Sequence, residues 1–427
     1  MTHKTITPKE RKVVLANFFS LTTLQSINYI LPVIVLPYLI RVLGPEKFGL
    51  IAFAQAFVQY FMILTDYGFS LSATKSISLC RGQKNKVSAI FSSVMTVKTI
   101  LTILSFLILI TIINLVPRFK QDSLVFVFSF GAVIGNTLFP VWFFQGHEKM
   151  RYISLTNIIG GLIYTACIFI FIRRPDDYLL APLLNSFFFL ITGIIGLYIA
   201  FNRFELEFVF QTYEDIKQEL KMGWDIFISI VAINAYTTTR VFAVGLLTNN
   251  ILTGYYSIAE RISNLIQTFP LTSLSQAIFP RLSSIFSRNK KRAFRIMEKI
   301  QKSTTMAYAL ALPIAFLTAP FIVRIVCGAE YKEVAIVLRL LLISVFFITA
   351  NAFKVQFLLV FGRPDVYAKI HVATALVALP AIFIFIQNFS YLGAAIATII
   401  TEAGVFVFTS QIVENLIVKT LGGRTPK

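Results

Sequence analysis

Charge is scarce in this chain of 427 residues: Asp, Glu, Lys and Arg together make up 14%, where a soluble protein carries roughly 25%. That shortage excludes a surface solvated all round, and 56% hydrophobic residues point the same way. Cysteine is nearly absent. Cys80, Cys167 and Cys327 lie in or beside apolar stretches without CxxC spacing, which excludes both a disulfide framework and a zinc site. The three histidines, His3, His147 and His371, are scattered, and neither HExxH nor GxSxG occurs. The adjacent acids Asp176 and Asp177 read as a solvated turn. No metal site and no catalytic constellation is therefore expected, and the chain is not read as an enzyme. The first apolar stretch, 13–40, is too long for a signal-peptide core and is expected to stay in the mature chain.

What the chain does have is long apolar blocks. With about 20 mainly apolar residues needed per crossing, twelve spans are expected, at approximately 13–40, 48–74, 87–116, 123–145, 152–172, 178–201, 222–247, 251–279, 303–327, 334–361, 366–387 and 391–417. The expected fold class is an all-α polytopic membrane protein. Each span with its connection takes about 36 residues, which leaves no room for an extramembrane catalytic domain. The formal charge of +19 would suggest nucleic acid in a soluble chain, but the basic residues lie between the apolar blocks. With both termini cytoplasmic, about 26 fall inside, among them Lys75, Arg81, Lys84, Lys86 and the run 288–302. About seven fall outside: Arg41, Lys47, Arg118, Lys120, Arg173, Arg174 and Lys332. That bias accounts for the charge without nucleic acid, and the run 288–302 is expected to be an interfacial helix on anionic headgroups.

Two halves are legible. Asn136, Gly146 and Tyr152 recur as Asn351, Gly362 and Tyr367, and Gly49, Ala54, Gln55 and Ser70 to Ser72 as Gly254, Ala259, Glu260 and Ser273 to Ser275. Four ordered matches at nearly constant offset suggest a duplicated six-helix unit: an N-lobe 1–201, a cytoplasmic linker 202–221 and a C-lobe 222–427. Six helices is an even number, so the halves insert in the same orientation, and substrate is expected between them near the midplane.

An ionisable side chain at the bilayer centre costs at least about 2.5 kcal/mol and is normally aimed at protein or at a wet cavity. Lys98, Glu260, Arg261 and Glu402 come out ~14 Å deep at 1.5 Å per residue. Glu260, Asn264 and Gln267 fall at i, i+4 and i+7, as do Lys98, Thr102 and Ser105, so each charge heads a polar stripe. Stripes of this sort line cavities; the competing reading is a neutralised buried pair, such as Lys98 with Glu402. Gln55, Gln59 and Asp66 share a face of the second span, Asp225 opens the seventh, and Arg240 lies toward its outer end.

The run 36–76, LPYLIRVLGPEKFGLIAFAQAFVQYFMILTDYGFSLSATKS, resembles the opening signature of the oligosaccharide-lipid flippases of the O-antigen transporter (Wzx or RfbX) type. The run 254–283 and FGRPDVYAKI at 361–370 are similar too, and the resemblance covers essentially the whole chain. It implies a two-lobed, twelve-span exporter of the superfamily that also holds multidrug extruders and peptidoglycan-precursor flippases. The implied activity is movement of an undecaprenyl-diphosphate-linked O-antigen or capsule repeat unit from the cytoplasmic to the periplasmic leaflet of the bacterial inner membrane, for lipopolysaccharide or other polysaccharide. In the related precursor flippases the motif matched by AER at 259–261 places an arginine in the cavity, a role that carries over to Arg261 alone. The relatives tend to be basic where this chain has Gln55, so its anion site is not a copy of theirs. The expected diphosphate and sugar contacts are Arg261, Lys98, Arg240, Gln55, Gln59 and Asn264. Glu260, Asp66, Asp225 and Glu402 are candidates for ion coupling or gating, with H+ or Na+ as counter-ion and no other cofactor. The expected partners are the glycolipid, the bilayer, a polysaccharide polymerase and a chain-length regulator. A cation-coupled multidrug exporter is the alternative, for which Lys98 and Arg261 are ill placed. An integral membrane polymerase or glycosyltransferase is weaker still, because the outer connections are short.

Overall fold

The computed structural model describes residues 8–360 and 363–421, with side chains described from residue 31 onward apart from several within 269–288, 356–364 and 417–421. Lys4, Arg424 and Lys427 of the expected cytoplasmic charge, and Gly362 of the repeat match, lie outside the described residues. The described residues form helices and no strand. Each of the twelve expected spans falls on helix. Among the described residues seven stretches are long and apolar enough to cross a membrane; Leu31–Cys80 takes in the end of the first expected span and all of the second, and Asp365–Leu416 holds the last two. Two bent helix pairs cover two further spans. The remaining span, within Asn250–Arg288, is not among those stretches; Glu260, Arg261, Asn264 and Gln267 make it less apolar.

Two compact units are present, Met1–Val42 with Phe57–Phe227 and Leu43–Ala56 with Ile228–Lys427. Helix α1 (Pro8–Asp66) enters both and is interrupted at Gly44, whose φ of 69° and ψ of 172° leave the helical region. The connection expected at 41–47 thus shrinks to one residue, because a glycine at positive φ can redirect the chain without a longer loop. Helix α1 also ends earlier than the expected 74, at Asp66. Tyr67 and Gly68 take positive φ, and α2 (Phe69–Cys80) starts afresh.

The first unit continues with α3 (Lys84–Leu115), α4 (Pro117–Lys120), α5 (Ser123–Leu138), α6 (Val141–Gly146), α7 (Met150–Phe171) and α8 (Leu180–Phe204). Pro140 lacks an amide hydrogen and separates α5 from α6, dividing the fourth expected span. One end of the unit is an aromatic core in which Phe69, Phe91, Trp142, Phe143 and Phe144 are buried. At the surface Arg81 donates to the Gly146 carbonyl and pairs with Glu148 at 2.8 Å, which holds the Glu148 carboxyl below its usual range.

After α8 the chain runs extended along the first turns of α3. The amides of Glu207 and Val209 donate to Ser88 and Ser92 at 3.2 and 3.0 Å, and Ser93 donates to Gln211 at 2.6 Å. The spacing fits, since two extended residues advance about 6.6 Å and one i to i+4 step along a helix about 6 Å. Lys84 pairs with Glu207 at 3.2 Å over the same strap. The segment 202–221 therefore contains the end of α8, this strap and the start of α9 (Tyr213–Thr237).

The second unit holds α10 (Thr239–Leu247), bent 48° from α9, then α11 (Asn250–Arg288), α12 (Lys290–Leu317), α13 (Ala319–Cys327), α14 (Lys332–Val360) and α15 (Pro364–Leu421). The basic run 288–302 is not a separate interfacial helix. From Lys290 it is continuous with α12, started by the Asn289 side chain accepting from the Arg292 amide at 2.9 Å. Helices α12 and α13 bend 68° at Thr318, with Pro320 in the first turn of α13. Helix α15 is broken at Ser390 (φ 54°, ψ −143°), between the two expected final spans.

Segment Leu43–Ala56 packs on α10 and α11. Gly49 and Gly254, matched in the repeat, lie backbone to backbone: a Cβ on Gly49 would meet Asn250 and Gly254, and one on Gly254 would meet the Pro45 carbonyl. Small residues permit such approach between membrane helices. Phe53 stacks on Phe242 at 5.5 Å from the same segment.

Candidate functional site

Polar groups cluster inside each unit. In the first, α3 is polar inward and apolar outward: Lys98, Thr102 and Ser105 are buried, while Ile103 and Leu107 are each 58% exposed. The Lys98 amino group donates to the Asn136 carbonyl of α5 at 3.4 Å, and Thr102 and Thr137 share a hydrogen bond of 2.8 Å. Asp66 acts electrostatically on Lys98. The stripe that begins at Lys98 is thus packed against α5, and Lys98 itself is only 2% exposed. Gln59, in the same unit, is half-buried, and Asp225 is exposed near the start of α9.

In the second unit Arg240 of α10 pairs with Glu402 of α15 at 2.9 Å, with side chains 9% and 13% exposed. The partner of Glu402 is thus Arg240, not Lys98. The Arg240 Nε is buried without a hydrogen bond, and the guanidinium lies 5.9 Å from the Tyr236 ring. Such a pair neutralises both charges inside a low-dielectric interior, and neither group is available to another ion without breaking the bond.

Arg261 sits differently. It is half-buried on α11, its Nη2 donates to the Gln55 amide oxygen at 2.6 Å, and its guanidinium lies 5.2 Å from the Phe48 ring. Both contacts come from segment Leu43–Ala56, held by the Gly49–Gly254 approach. Glu260 is within electrostatic reach of Arg240 and Arg261, and Asn264, one turn further along α11, is exposed. Gln55, Glu260, Arg261 and Asn264 thus gather in one place; Arg240 and Glu402 form a pair of their own; Lys98, Gln59, Asp66 and Asp225 belong to the other unit. A guanidinium bonded to a neutral amide can exchange that amide for an anion, because anionic oxygens make hydrogen bonds about twice as strong.

Two arrangements carried no sequence signal. Tyr236 and His371, 135 residues apart, share a buried hydrogen bond of 2.9 Å, with the Tyr367 ring 4.4 Å from the imidazole. Gln301 of α12 engages α14 at both ends of one helical rung: its amide donates to the Thr349 carbonyl at 3.0 Å and accepts from the Phe353 amide at 3.1 Å. A lone glutamine in an amphipathic run gives no hint of that.

The chain matches the family model described as polysaccharide biosynthesis protein over residues 14–286. It is 32% identical over 400 residues to the "Putative O-antigen transporter" of Escherichia coli (strain K12), covering 93% of this chain and 96% of that one. Identity to the protein of the same description from Shigella dysenteriae is 26% over 402 residues, covering 93% and 99%. Among solved structures, an inward-facing multidrug resistance MATE family transporter of the MOP superfamily superposes with a TM-score of 0.74 at 14% identity, over 92% of this chain and 96% of the other. The lipid II flippase MurJ in an inward closed conformation gives 0.71 at 14% identity, over 95% and 93%. At such identities these two likenesses speak for the fold alone.

Proposed function

The chain belongs to the polysaccharide biosynthesis protein family, and from that membership we propose that it is a flippase for polyprenyl-diphosphate-linked oligosaccharides. It moves an O-antigen or capsule repeat unit from the cytoplasmic to the periplasmic leaflet of the bacterial inner membrane by alternating access, with both termini cytoplasmic. The observation that carries this reading is Arg261: a half-buried guanidinium on α11, bonded to the neutral amide of Gln55 at 2.6 Å. A diphosphate taken into a membrane needs a donor that stays charged where the dielectric is low and that matches two oxygens at once, which the guanidinium fork does. Asn264 on the same helix offers neutral hydrogen bonds to sugar hydroxyls. Lys98 and Arg240, buried against their own contacts, support the two units. Glu260, beside Arg261, is the acid best placed to exchange H+ or Na+ with the loaded site.

The test is transfer of a labelled undecaprenyl-diphosphate oligosaccharide between leaflets of proteoliposomes, with a cationic dye as comparison substrate, for the wild type, Arg261→Lys and Arg261→Ala. Saturable glycolipid transfer that falls in the lysine variant and is lost in the alanine variant supports the reading. Dye transport without glycolipid transfer moves the protein to the drug exporters, and unchanged transfer by the alanine variant removes Arg261 from the site.

A further inference from the structure

We infer that the groove between α12 and α14 is a binding site for an anionic phospholipid: one acyl chain lies in the groove, and the phosphate is held by Arg339 at its rim. The inference is independent of the role proposed for Arg261.

The groove has a volume of about 550 Å³, within the ~300–1,000 Å³ of ordinary small-ligand pockets. Its walls are apolar throughout, from Ala309 to Leu317 on α12 and from Leu342 to Phe347 on α14. The α12 wall is ~12 Å long at 1.5 Å per residue, close to the ~15 Å that one leaflet contributes to a ~30 Å hydrocarbon core. The groove thus suits a single acyl chain and is much shorter than an extended undecaprenyl chain.

The rim is made by the break at Thr318. In a continuous helix the Phe316 carbonyl would accept from residue 320, but Pro320 has no amide hydrogen. Arg339 of α14 takes that place: its Nε donates to the Phe316 carbonyl at 3.1 Å, and its guanidinium lies 5.5 Å from the Phe316 ring. Phe316 therefore both lines the groove and carries the cation. The bond uses Nε and leaves the two Nη groups, the fork that matches a phosphate. Among the described residues no carboxylate pairs with Arg339. Helix α14 has 29 residues, ~44 Å at 1.5 Å each, and so exceeds the core by ~14 Å. With that surplus shared between its ends, Arg339, ~10 Å from the start of α14, lies within one turn of the core boundary, where headgroup phosphates are in reach.

The walls alone prefer no lipid, because they are as apolar as the surrounding tails. Preference comes from the cation: a chain seated on Phe316 brings its phosphate to the fork, where charge-assisted hydrogen bonds form. A zwitterionic headgroup brings an ammonium as well, and the lining of the groove holds no acid to receive it.

Native mass spectrometry of the purified full-length protein, titrated with phosphatidylglycerol, phosphatidylethanolamine of the same chains and undecaprenyl phosphate, tests this; thermal unfolding of each variant without added lipid gives its folded fraction. The wild type should retain phosphatidylglycerol in preference to phosphatidylethanolamine. Arg339→Gln keeps a donor for the Phe316 carbonyl without the charge, and should weaken phosphatidylglycerol binding roughly tenfold or more and erase the preference. Ala309→Phe, at an exposed position of α12, fills the groove with Arg339 left in place and should weaken the same binding severalfold. If Arg339→Gln fails to fold, Ala309→Phe decides. Equal retention of the two phospholipids by the wild type overturns the site, and so does wild-type binding by either folded variant. Displacement of phosphatidylglycerol by equimolar undecaprenyl phosphate would make the groove a seat for the prenyl chain and overturn the phospholipid reading.

Discussion

Removing one member of the Arg240–Glu402 pair should harm the protein far more than removing both. The two side chains meet at 2.9 Å with only 9% and 13% of their surfaces exposed, and the Arg240 Nε already lacks a hydrogen bond. Glu402→Leu leaves a buried guanidinium uncompensated, and Arg240→Met leaves a carboxylate in the same condition. Breaking a buried pair in this way costs about 3–5 kcal/mol, whereas replacing it whole with apolar side chains of similar volume is often neutral or stabilising. Each single variant should therefore lower the thermal unfolding midpoint of the detergent-purified protein by on the order of 5 °C, and the double variant should return close to wild type. Two single losses of about 3–5 kcal/mol against a double variant near zero give a coupling energy of about 6–10 kcal/mol, above the roughly 0.5–3 kcal/mol usual for side chains in direct contact. Additive losses would refute the reasoning, since they would mean that each charge finds other compensation. The same three proteins separate structure from function. If the pair only joins α10 to α15, the double variant transfers glycolipid at the wild-type rate per folded molecule. If Arg240 holds the diphosphate, or Glu402 the coupling ion, transfer fails although stability returns.

Two further perturbations probe buried polar groups. Gln301→Leu should destabilise by roughly 1–3 kcal/mol, because it strips two hydrogen bonds from the backbone of α14. Gln301→Glu should do no better, since a carboxylate can accept from Phe353 but cannot donate to Thr349; wild-type thermal stability and wild-type hydrogen exchange across 349–353 in the glutamate variant would count against this. Glu219, in the first turns of α9, is 6% exposed with one carboxylate oxygen unpartnered, beside Ile216 and Leu220, which pack on the aromatic core. Glu219→Gln should raise the unfolding midpoint at pH 8, by a gain on the order of 1–2 kcal/mol, and an unchanged midpoint would show that the carboxylate carries no burial cost.

The spans were legible because the bilayer imposes a length. A run of about twenty apolar residues is what a helix needs to cross the hydrocarbon, and each such stretch proved helical. Their breaks were harder to place. A single residue at positive φ, Gly44 or Ser390, does the work for which hydropathy suggests a loop of several residues. Tyr67 and Gly68 interrupt an apolar run that looks continuous by composition.

Polarity inside the membrane was legible as position but not as partnership. Lys98, Arg240, Glu260, Arg261 and Glu402 all announce themselves, since a charge within an apolar run is costly whatever it touches. What a charge touches depends on helix rotation and on neighbours far away in sequence, and that decides its role. Arg240 and Arg261 lie 21 positions apart with the same side chain, yet one pairs with Glu402, 162 residues away, and the other donates to a neutral amide 206 residues upstream. The stripes headed by Lys98 and Glu260 follow the same i, i+4, i+7 rule, but the first is sealed against α5 while the second includes exposed Asn264. Periodicity fixes which side chains share a face. Whether that face meets another helix or a cavity is decided by tertiary packing, and there the neutral residues matter most: Gln55 and Gln301 carry no charge to flag them, yet one holds the candidate anion site and the other braces the backbone of α14.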